Sequence, residues 1–267
     1  MRIRILLPAL GLVVLVAAGF GAAAQSAASK PIQVDVTERG YVMPSVIKGG
    51  VVAMRFRNIG RELHEFALAR IDNGHTFSQA LRAFEQNKDP AWLHDVAGPG
   101  VMTPGAEITI TRQLSPGTYF FVDAVPNTKG VQFEKLGGRK AFTVTGDSGA
   151  QLPRADAMIT AEKKRFVIPP LHAGRLTIEL RNRAGSGRGF ILATINPGKT
   201  QADVDRWVKS IETTGKQPRT PAPMTLLGAI QTIPSGTSVY LTVKLEAGRK
   251  YHMSDDESGT AASFTPR

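Results

Sequence analysis

The chain repeats itself at a nearly constant spacing, and this repeat limits its possible folds more than any other feature of the sequence. Five pairs of identical residues lie 124 positions apart: Asn58 with Asn182, Phe66 with Phe190, Leu68 with Leu192, Thr76 with Thr200 and Arg82 with Arg206. Residues 114–117 then match 245–248, and residues 142–143 match 264–265. The second copy therefore gains seven residues and later loses nine. A duplicated unit of this length predicts two similar domains in tandem.

Within each copy the apolar residues mostly recur at every second position, which is typical of half-buried β-strands. In the first copy Met54 and Phe56 alternate with Arg55, and in the second Leu176 and Ile178 alternate with polar residues. Glycines and prolines separate these runs, as the turns of an antiparallel sheet require. The further predicted strands are 66–69, 107–112, 118–122 and 140–145 in the first copy, and 190–195, 238–245 and 249–253 in the second.

One helix interrupts the strands of each copy. Thr76 can cap a helix whose third residue is Gln79, and Thr200 can do the same in the second copy. The apolar residues that follow each threonine have helical spacing, so each helix is expected to cover a sheet or one end of the strand layers. We therefore predict an all-β fold of two tandem Greek-key β-sandwiches, each with a short helical insertion.

Domain limits follow from the pattern of composition. Residues 147–156 join the two copies and begin with a polar stretch that contains glycine and proline, which indicates a linker. The predicted organisation is a signal peptide at 1–24, a flexible N-terminus at 25–31, a first domain at 32–146, the linker, and a second domain at 157–267.

The first residues of the chain read as an export signal. Arg2 and Arg4 precede an apolar run over residues 5–20, and three alanines at 22–24 offer small residues for cleavage. The alternative is a retained membrane anchor, but the run contains glycines and is shorter than the roughly 20 apolar residues that a membrane span prefers. Cleavage predicts a periplasmic or secreted protein with no transmembrane segment in its mature form.

Charge and cysteine content exclude several classes of function. The chain has no cysteine, so disulfides, thiolate metal ligands and thiol nucleophiles are all absent. The formal net charge is +11, which favours weak attraction to anionic envelope components. No run reaches five like charges, so a solvated basic surface is favoured over a nucleic-acid site. The expected partner is an envelope protein or an anionic component of the envelope.

Two stretches of the first copy resemble the cupredoxin family, in particular exported bacterial plastocyanin-like domains. Residues 58–66 resemble the stretch N-x-G-x-x-x-H-x-F that carries the first copper ligand, and residues 114–142 resemble the loop that carries the others. The resemblance implies a copper site at the positions of His64, Asp123, Phe133 and Gly138. It aligns His64 with the first histidine ligand, Asp123 with the cysteine, Phe133 with the second histidine and Gly138 with the methionine. Three of the four ligands are therefore missing, and a type 1 copper centre is not expected.

The second copy departs further from the family. Arg188 stands at the position of the first histidine, Ser254 is aligned with the cysteine, and the nine-residue deletion removes most of the ligand loop. The second domain is expected to keep the scaffold alone.

The resemblance implies that His64 and Asp123 lie close together, and Glu65 follows directly. One hypothesis is a remnant site in which His64, Asp123 and Glu65 bind Cu(II) or Zn(II) through imidazole and carboxylate. The alternative, which we favour, is that His64 and Asp123 satisfy each other by a hydrogen bond. In that case the chain has no cofactor. The other histidines, His252 among them, are expected at the surface or at caps.

No catalytic motif accompanies these residues. The sequence contains no nucleophile elbow, no H-E-x-x-H helix and no H-x-H pairs of the kind used by two-domain cupredoxin enzymes, which this layout resembles. We therefore expect a non-enzymatic binding or scaffold protein. An atypical metal-handling protein that uses His64 is the alternative, and an enzyme would need a pocket of clustered titratable groups.

Overall fold

The computed structural model of the protein describes residues 30–86, 88–255 and 258–267. The described residues form mostly β-structure with two α-helices, as the alternating pattern predicts. The strands of the first half are β1 Ile32–Thr37, β2 Gly40–Val42, β3 Val46–Asn58, β4 His64–Ile71, β5 Leu93–Asp95, β6 Gly100–Met102, β7 Glu107–Leu114, β8 Gly117–Val122 and β9 Arg139–Asp147. Those of the second half are β10 Ala157–Ala161, β11 Phe166–Val167, β12 Gly174–Asn182, β13 Arg188–Ile195, β14 Met224–Ile233, β15 Ser238–Leu245, β16 Tyr251–Asp255 and β17 Thr260–Phe264.

Both predicted helices are present and begin where the sequence places them. Helix α1 is Phe77–Glu85 and helix α2 is Gln201–Thr214. Each begins with a capping box: the Thr76 hydroxyl accepts the Gln79 N–H, and the Thr200 hydroxyl accepts the Asp203 N–H. Because these bonds satisfy backbone groups that a helix start leaves unpaired, the two threonines fix both helix starts.

Strand β3 connects two sets of strands in the first half. Its residues 46–49 pair in parallel with β9, whereas residues 50–57 pair antiparallel with β7 and the end of the strand pairs in parallel with β1. The change falls at Gly50, whose φ of +76° is a conformation that favours glycine. Aromatic rings from the two sets pack against each other: the Phe56 ring lies 5.2 Å from that of Phe66 and 5.7 Å from that of Phe121.

The second half repeats these pairings. Strand β10 pairs in parallel with β12, and β12 pairs antiparallel with β15, as β1, β3 and β7 do in the first half. Strand β13 pairs with β14 and β16, as β4 pairs with β6 and β8. The repeat in the sequence is therefore a repeat of strand pairing.

The two halves also join each other directly. Strand β15 pairs antiparallel with β7, with Leu241 opposite Ile110, so one sheet runs from β11 to β5 through both halves. One hydrophobic cluster contains buried residues of both halves, among them Phe66 and Phe190. The pairing covers two strand edges that would otherwise expose unpaired backbone groups. The division into two Greek-key domains at residue 147 remains a prediction; β9 reaches Asp147, and residues 148–156 form no strand or helix.

The predicted signal peptide lies outside the described residues. Within the part of the chain that the structure describes, no helix is long and apolar enough to cross a membrane.

Candidate functional site

A buried asparagine shapes the loop that leads to His64. The Asn58 side-chain amide donates to the carbonyls of Glu62 and Met102, both at 2.8 Å, and its oxygen accepts the Gly60 N–H at 2.9 Å. Three hydrogen bonds to one fully buried side chain hold the loop in a single shape, which places His64 at the start of β4.

His64 and Asp123 form a buried pair. The Nδ1 atom of His64 lies 2.6 Å from Oδ2 of Asp123, and both side chains have no exposed surface. The other carboxylate oxygen of Asp123 accepts the N–H groups of Glu65 and Val125 at 3.1 and 3.2 Å. Burial raises the pKa of Asp123, while the hydrogen bond from His64 acts in the opposite direction. The structure therefore contains the His–Asp hydrogen bond that we favoured from the sequence.

Two other positions aligned with copper ligands also lie at this pair. The Phe133 ring packs on the imidazole of His64, with their centroids 4.2 Å apart. Gly138 accepts the Asp123 N–H through its carbonyl at 2.8 Å. A Cβ at Gly138 would lie 2.8 Å from the carbonyl carbon and oxygen of Phe133, which leaves no room for a side chain.

The third predicted site residue, Glu65, forms its contacts elsewhere. Its carboxylate accepts the Gln231 side-chain amide at 2.9 Å and the Ala124 N–H at 3.3 Å. Burial, followed by the neighbouring charge of Asp123, raises the pKa of Glu65 to about 7. The structure thus brings His64 and Asp123 together and directs the Glu65 carboxylate to a residue of the second half. Among the described residues, no cluster of three His, Cys, Asp or Glu side chains could hold a metal ion.

The second ring nitrogen of His64 takes no part in the hydrogen bond with Asp123. The Nε2 atom of His64 is buried and has no hydrogen-bond partner among the described residues. Oε1 of Glu38 lies 3.8 Å from this nitrogen, beyond hydrogen-bond distance, and accepts the Arg61 N–H.

No family model and no curated protein matches this chain. Solved structures do: auracyanin from the photosynthetic bacterium Roseiflexus castenholzii is 22% identical over 44% of this chain and 98% of its own, with a TM-score of 0.32. A multicopper oxidase is 14% identical over 89% of this chain and 88% of its own, at a TM-score of 0.23.

A copper-containing nitrite reductase from Thermus scotoductus is 12% identical over 89% of this chain and 61% of its own, at a TM-score of 0.24. Auracyanin, a cupredoxin, is thus among the solved structures to which this chain is similar, and at a TM-score below 0.5 the shared fold stays a prediction. At these identities and TM-scores, nothing about the copper or the activity of those proteins is carried over to this chain.

A type 1 copper ion does not fit the residues present here. Such a centre requires a cysteine thiolate and two imidazoles. The chain has no cysteine, Nδ1 of His64 is already bonded to Asp123, and the Phe133 ring lies against the imidazole. The residues aligned with the ligands fill the site with protein atoms instead.

The second half contains a pair in the equivalent place, and it corrects one alignment made from the sequence. The guanidinium of Arg188, at the position equivalent to His64, donates to Oδ2 of Asp255 at 3.1 Å. The other oxygen of Asp255 accepts the Gly189 N–H, just as Asp123 accepts that of Glu65. The residue equivalent to Asp123 is therefore Asp255, and the alignment of Ser254 with this position was wrong.

The error has a local cause. Tyr119 stacks on Phe142 in the first half, and Tyr251 stacks on Phe264 in the second, so Tyr119 corresponds to Tyr251. One extra residue after the Gly117 and Gly248 turns shifts the alignment by one position. The shared pattern of a tyrosine followed four residues later by an aspartate would have revealed it. Sequence reasoning also missed a cavity beneath α2, which is lined by His252.

Proposed function

We propose that this chain is an exported, non-enzymatic binding or scaffold protein. In this proposal the chain is built from two tandem cupredoxin-like β-sandwiches, and buried acid–base pairs replace the type 1 copper site. The observation that carries it is the pair His64–Asp123 in the first half and the pair Arg188–Asp255 at the equivalent place in the second.

The two pairs have the same structural role in this proposal. Each joins the start of one strand to the end of another, β4 to β8 in the first half and β13 to β16 in the second. Each carboxylate also accepts a backbone N–H beside the basic residue. A buried acid and base that satisfy each other in this way need no ion. The same solution with two different bases is what a structural role predicts.

The partner belongs to the proposal and is described by chemistry alone. The net charge of +11 supports contact with an anionic envelope component or an acidic envelope protein, whereas the sequence offers no nucleic-acid motif. Such contact should weaken as salt increases, since exposed charges are screened. Crosslinking of the mature protein in an envelope extract at low salt, with recovery of no partner, would count against this role.

The decisive experiment is a metal titration of the tag-free protein. Cu(II), Cu(I) and Zn(II) are added while heat and bound metal are measured, for the wild type and for His64→Gln. A matched control is His172→Gln, which changes an exposed histidine. We expect the His64 variant to bind the same small amount of metal as the control. Uptake of one equivalent that is lost in His64→Gln alone would refute the proposal, provided that circular dichroism shows the variant to be folded.

One observation favours a second candidate, an atypical metal-handling protein. The buried Nε2 of His64 without a hydrogen bond is an available donor, and Glu38 has a carboxylate oxygen 3.8 Å away. A metal held there by His64, with Asp123 or Glu65 nearby, would explain the unused nitrogen. This candidate predicts stoichiometric uptake that Glu38→Gln weakens, whereas the structural pair predicts no effect of Glu38→Gln on metal content.

A further inference from the structure

Helix α2 covers one face of the second half without filling the space beneath it. A cavity of about 1110 Å³ lies between this helix and strands β13, β14 and β16. Its apolar wall contains side chains from the helix and from the strands, among them Val204, Trp207, Ile191, Met224 and Leu226. Ligand pockets have volumes of roughly 300–1,000 Å³, so this cavity is large enough for a small molecule.

The first half shows that the cavity is a specific feature of the second. Under α1 the equivalent space is filled by a compact cluster, which includes the buried side chains Phe120 and Val122 and the ring of Phe77. The second half has smaller or more polar residues at the same three places: Gln201 for Phe77, His252 for Phe120 and Ser254 for Val122. All three of these residues line the cavity.

A second difference lies after the helix. The start of β14 pairs with β13 as β5 pairs with β4. Pro223 stands in the place of Trp92, since the carbonyls of these two residues accept the equivalent N–H groups of Asn196 and Asp72. Trp92 packs into the filled cluster of the first half, and proline has a much smaller side chain. The same scaffold can therefore close this face completely, and in the second half it leaves the face open.

Charge distinguishes the two ends of the cavity. At the boundary with the first half, the cavity is lined by Glu65 and Asp95, and no basic side chain of the first half lines it. In a chain of net charge +11, this end is locally acidic.

The opposite end is basic. It opens into a smaller cavity of about 410 Å³ whose lining includes Lys199, Arg249 and Lys250 and which shares His252 with the larger one. Arg249 is held there by hydrogen bonds to Glu246 and Thr194. An amine entering the cavity would thus be repelled from this end and attracted towards Glu65.

We propose that the cavity beneath α2 binds a small molecule with an apolar body and a single ammonium group. The ammonium lies beside the carboxylates of Glu65 and Asp95, and the apolar body lies against Trp207, Ile191 and Met224. Burial of the apolar body supplies affinity, and the two acids orient the ligand. Neither His64 nor Asp123 lines this cavity, so its ligand and the metal titration can succeed or fail independently.

Three probes of equal chain length test the proposal: decylamine, decanol and decanoate, each below its micelle concentration. Binding is measured at pH 8 by calorimetry and by the fluorescence of Trp207 in a Trp92→Phe background, since the chain has two tryptophans. We expect decylamine to bind with one-to-one stoichiometry and at least tenfold more tightly than decanoate. Glu65→Gln should weaken decylamine binding by about tenfold and leave decanol unchanged, because it removes one charge-assisted contact. The control Asp89→Asn removes the same charge at an exposed site that does not line the cavity and should change nothing.

The internal repeat supplies a variant that fills the cavity. His252→Phe combined with Ser254→Val installs the residues of the first half, and it should abolish binding of all three probes while the circular dichroism spectrum is kept. Tighter binding of decanoate than of decylamine would overturn the proposal in favour of the basic end. So would unchanged decylamine affinity in the filled variant, or no binding of any probe to the wild type.

Discussion

Replacement of Glu65 by glutamine should make the protein more stable at high pH and have little effect at low pH. The Glu65 carboxyl lies half-buried between the two halves, and desolvation together with the charge of Asp123 raises its pKa from 4.5 to about 7. A pKa that is higher in the folded state means that the folded protein holds this proton more tightly than the unfolded chain. The stability that the proton contributes is fully present below pH 4.5 and is lost as the pH rises through 7.

The magnitude follows from the size of this difference. A shift of one pKa unit corresponds to about 1.4 kcal/mol, so ionisation of Glu65 costs the folded state about 3 kcal/mol above pH 7. Glutamine cannot ionise, so the variant avoids this cost. Its side chain can accept only one of the two hydrogen bonds from Gln231 and Ala124, and the lost bond reduces the gain in stability by about 1 kcal/mol. We therefore expect the stability of Glu65→Gln relative to the wild type to increase by about 3 kcal/mol between pH 4.5 and pH 8.

Urea denaturation at several pH values measures this difference. Glu212→Gln is the matched control, because it removes an exposed carboxylate of α2 and should alter stability by less than about 0.5 kcal/mol. In an Asp123→Asn background the effect of Glu65→Gln should be smaller, since the Asp123 charge causes part of the shift. A wild type and a Glu65→Gln variant whose stabilities differ by the same amount at pH 4.5 and pH 8 would refute the reasoning.

Two further predictions concern the scaffold. Asn58→Ala and Asn182→Ala should each lower the free energy of unfolding by on the order of 2–3 kcal/mol, because each buried amide donates to two carbonyls and accepts one N–H. Urea denaturation measures this loss. A large loss at one site alone would contradict the equivalence of the two loops. Gly98→Ala should lower the free energy of unfolding by at least about 3 kcal/mol, since its Cβ would lie 1.6 Å from the Phe66 carbonyl oxygen. Gly105→Ala is the control: it has open space and a φ of +79°, and it should lower the free energy of unfolding by about 1 kcal/mol. Equal thermal stability of the two variants would show that the protein avoids the contact at Gly98.

Much of the local structure could be predicted from the sequence because its causes are local. Alternation of apolar residues located most of the longer strands but missed β1 and β14. Thr76 and Thr200 located both helix starts, since a cap depends on residues within one turn. The absence of cysteine excluded a thiolate copper ligand directly. Asp123 was predicted beside His64 through the family resemblance, and their hydrogen bond is present.

The errors and omissions have a common origin in long-range packing. One additional residue in a turn moved Asp255, instead of Ser254, into the place equivalent to Asp123, and identity at a fixed spacing does not detect such a shift. Glu65 was grouped with His64 because the two are adjacent, but its carboxylate bonds Gln231 of the second half. That contact links strands distant in the chain.

The sequence by itself determined the repeat, most of the longer strands, both helices and the absence of a cysteine ligand, because each of these depends on residue type and near neighbours. Only the tertiary structure decided that β15 pairs with β7 to join the halves, and that α2 covers an open cavity where α1 covers a filled one. Edge pairing and cavity volume depend on how surfaces from distant segments fit together, and no local pattern encodes that fit.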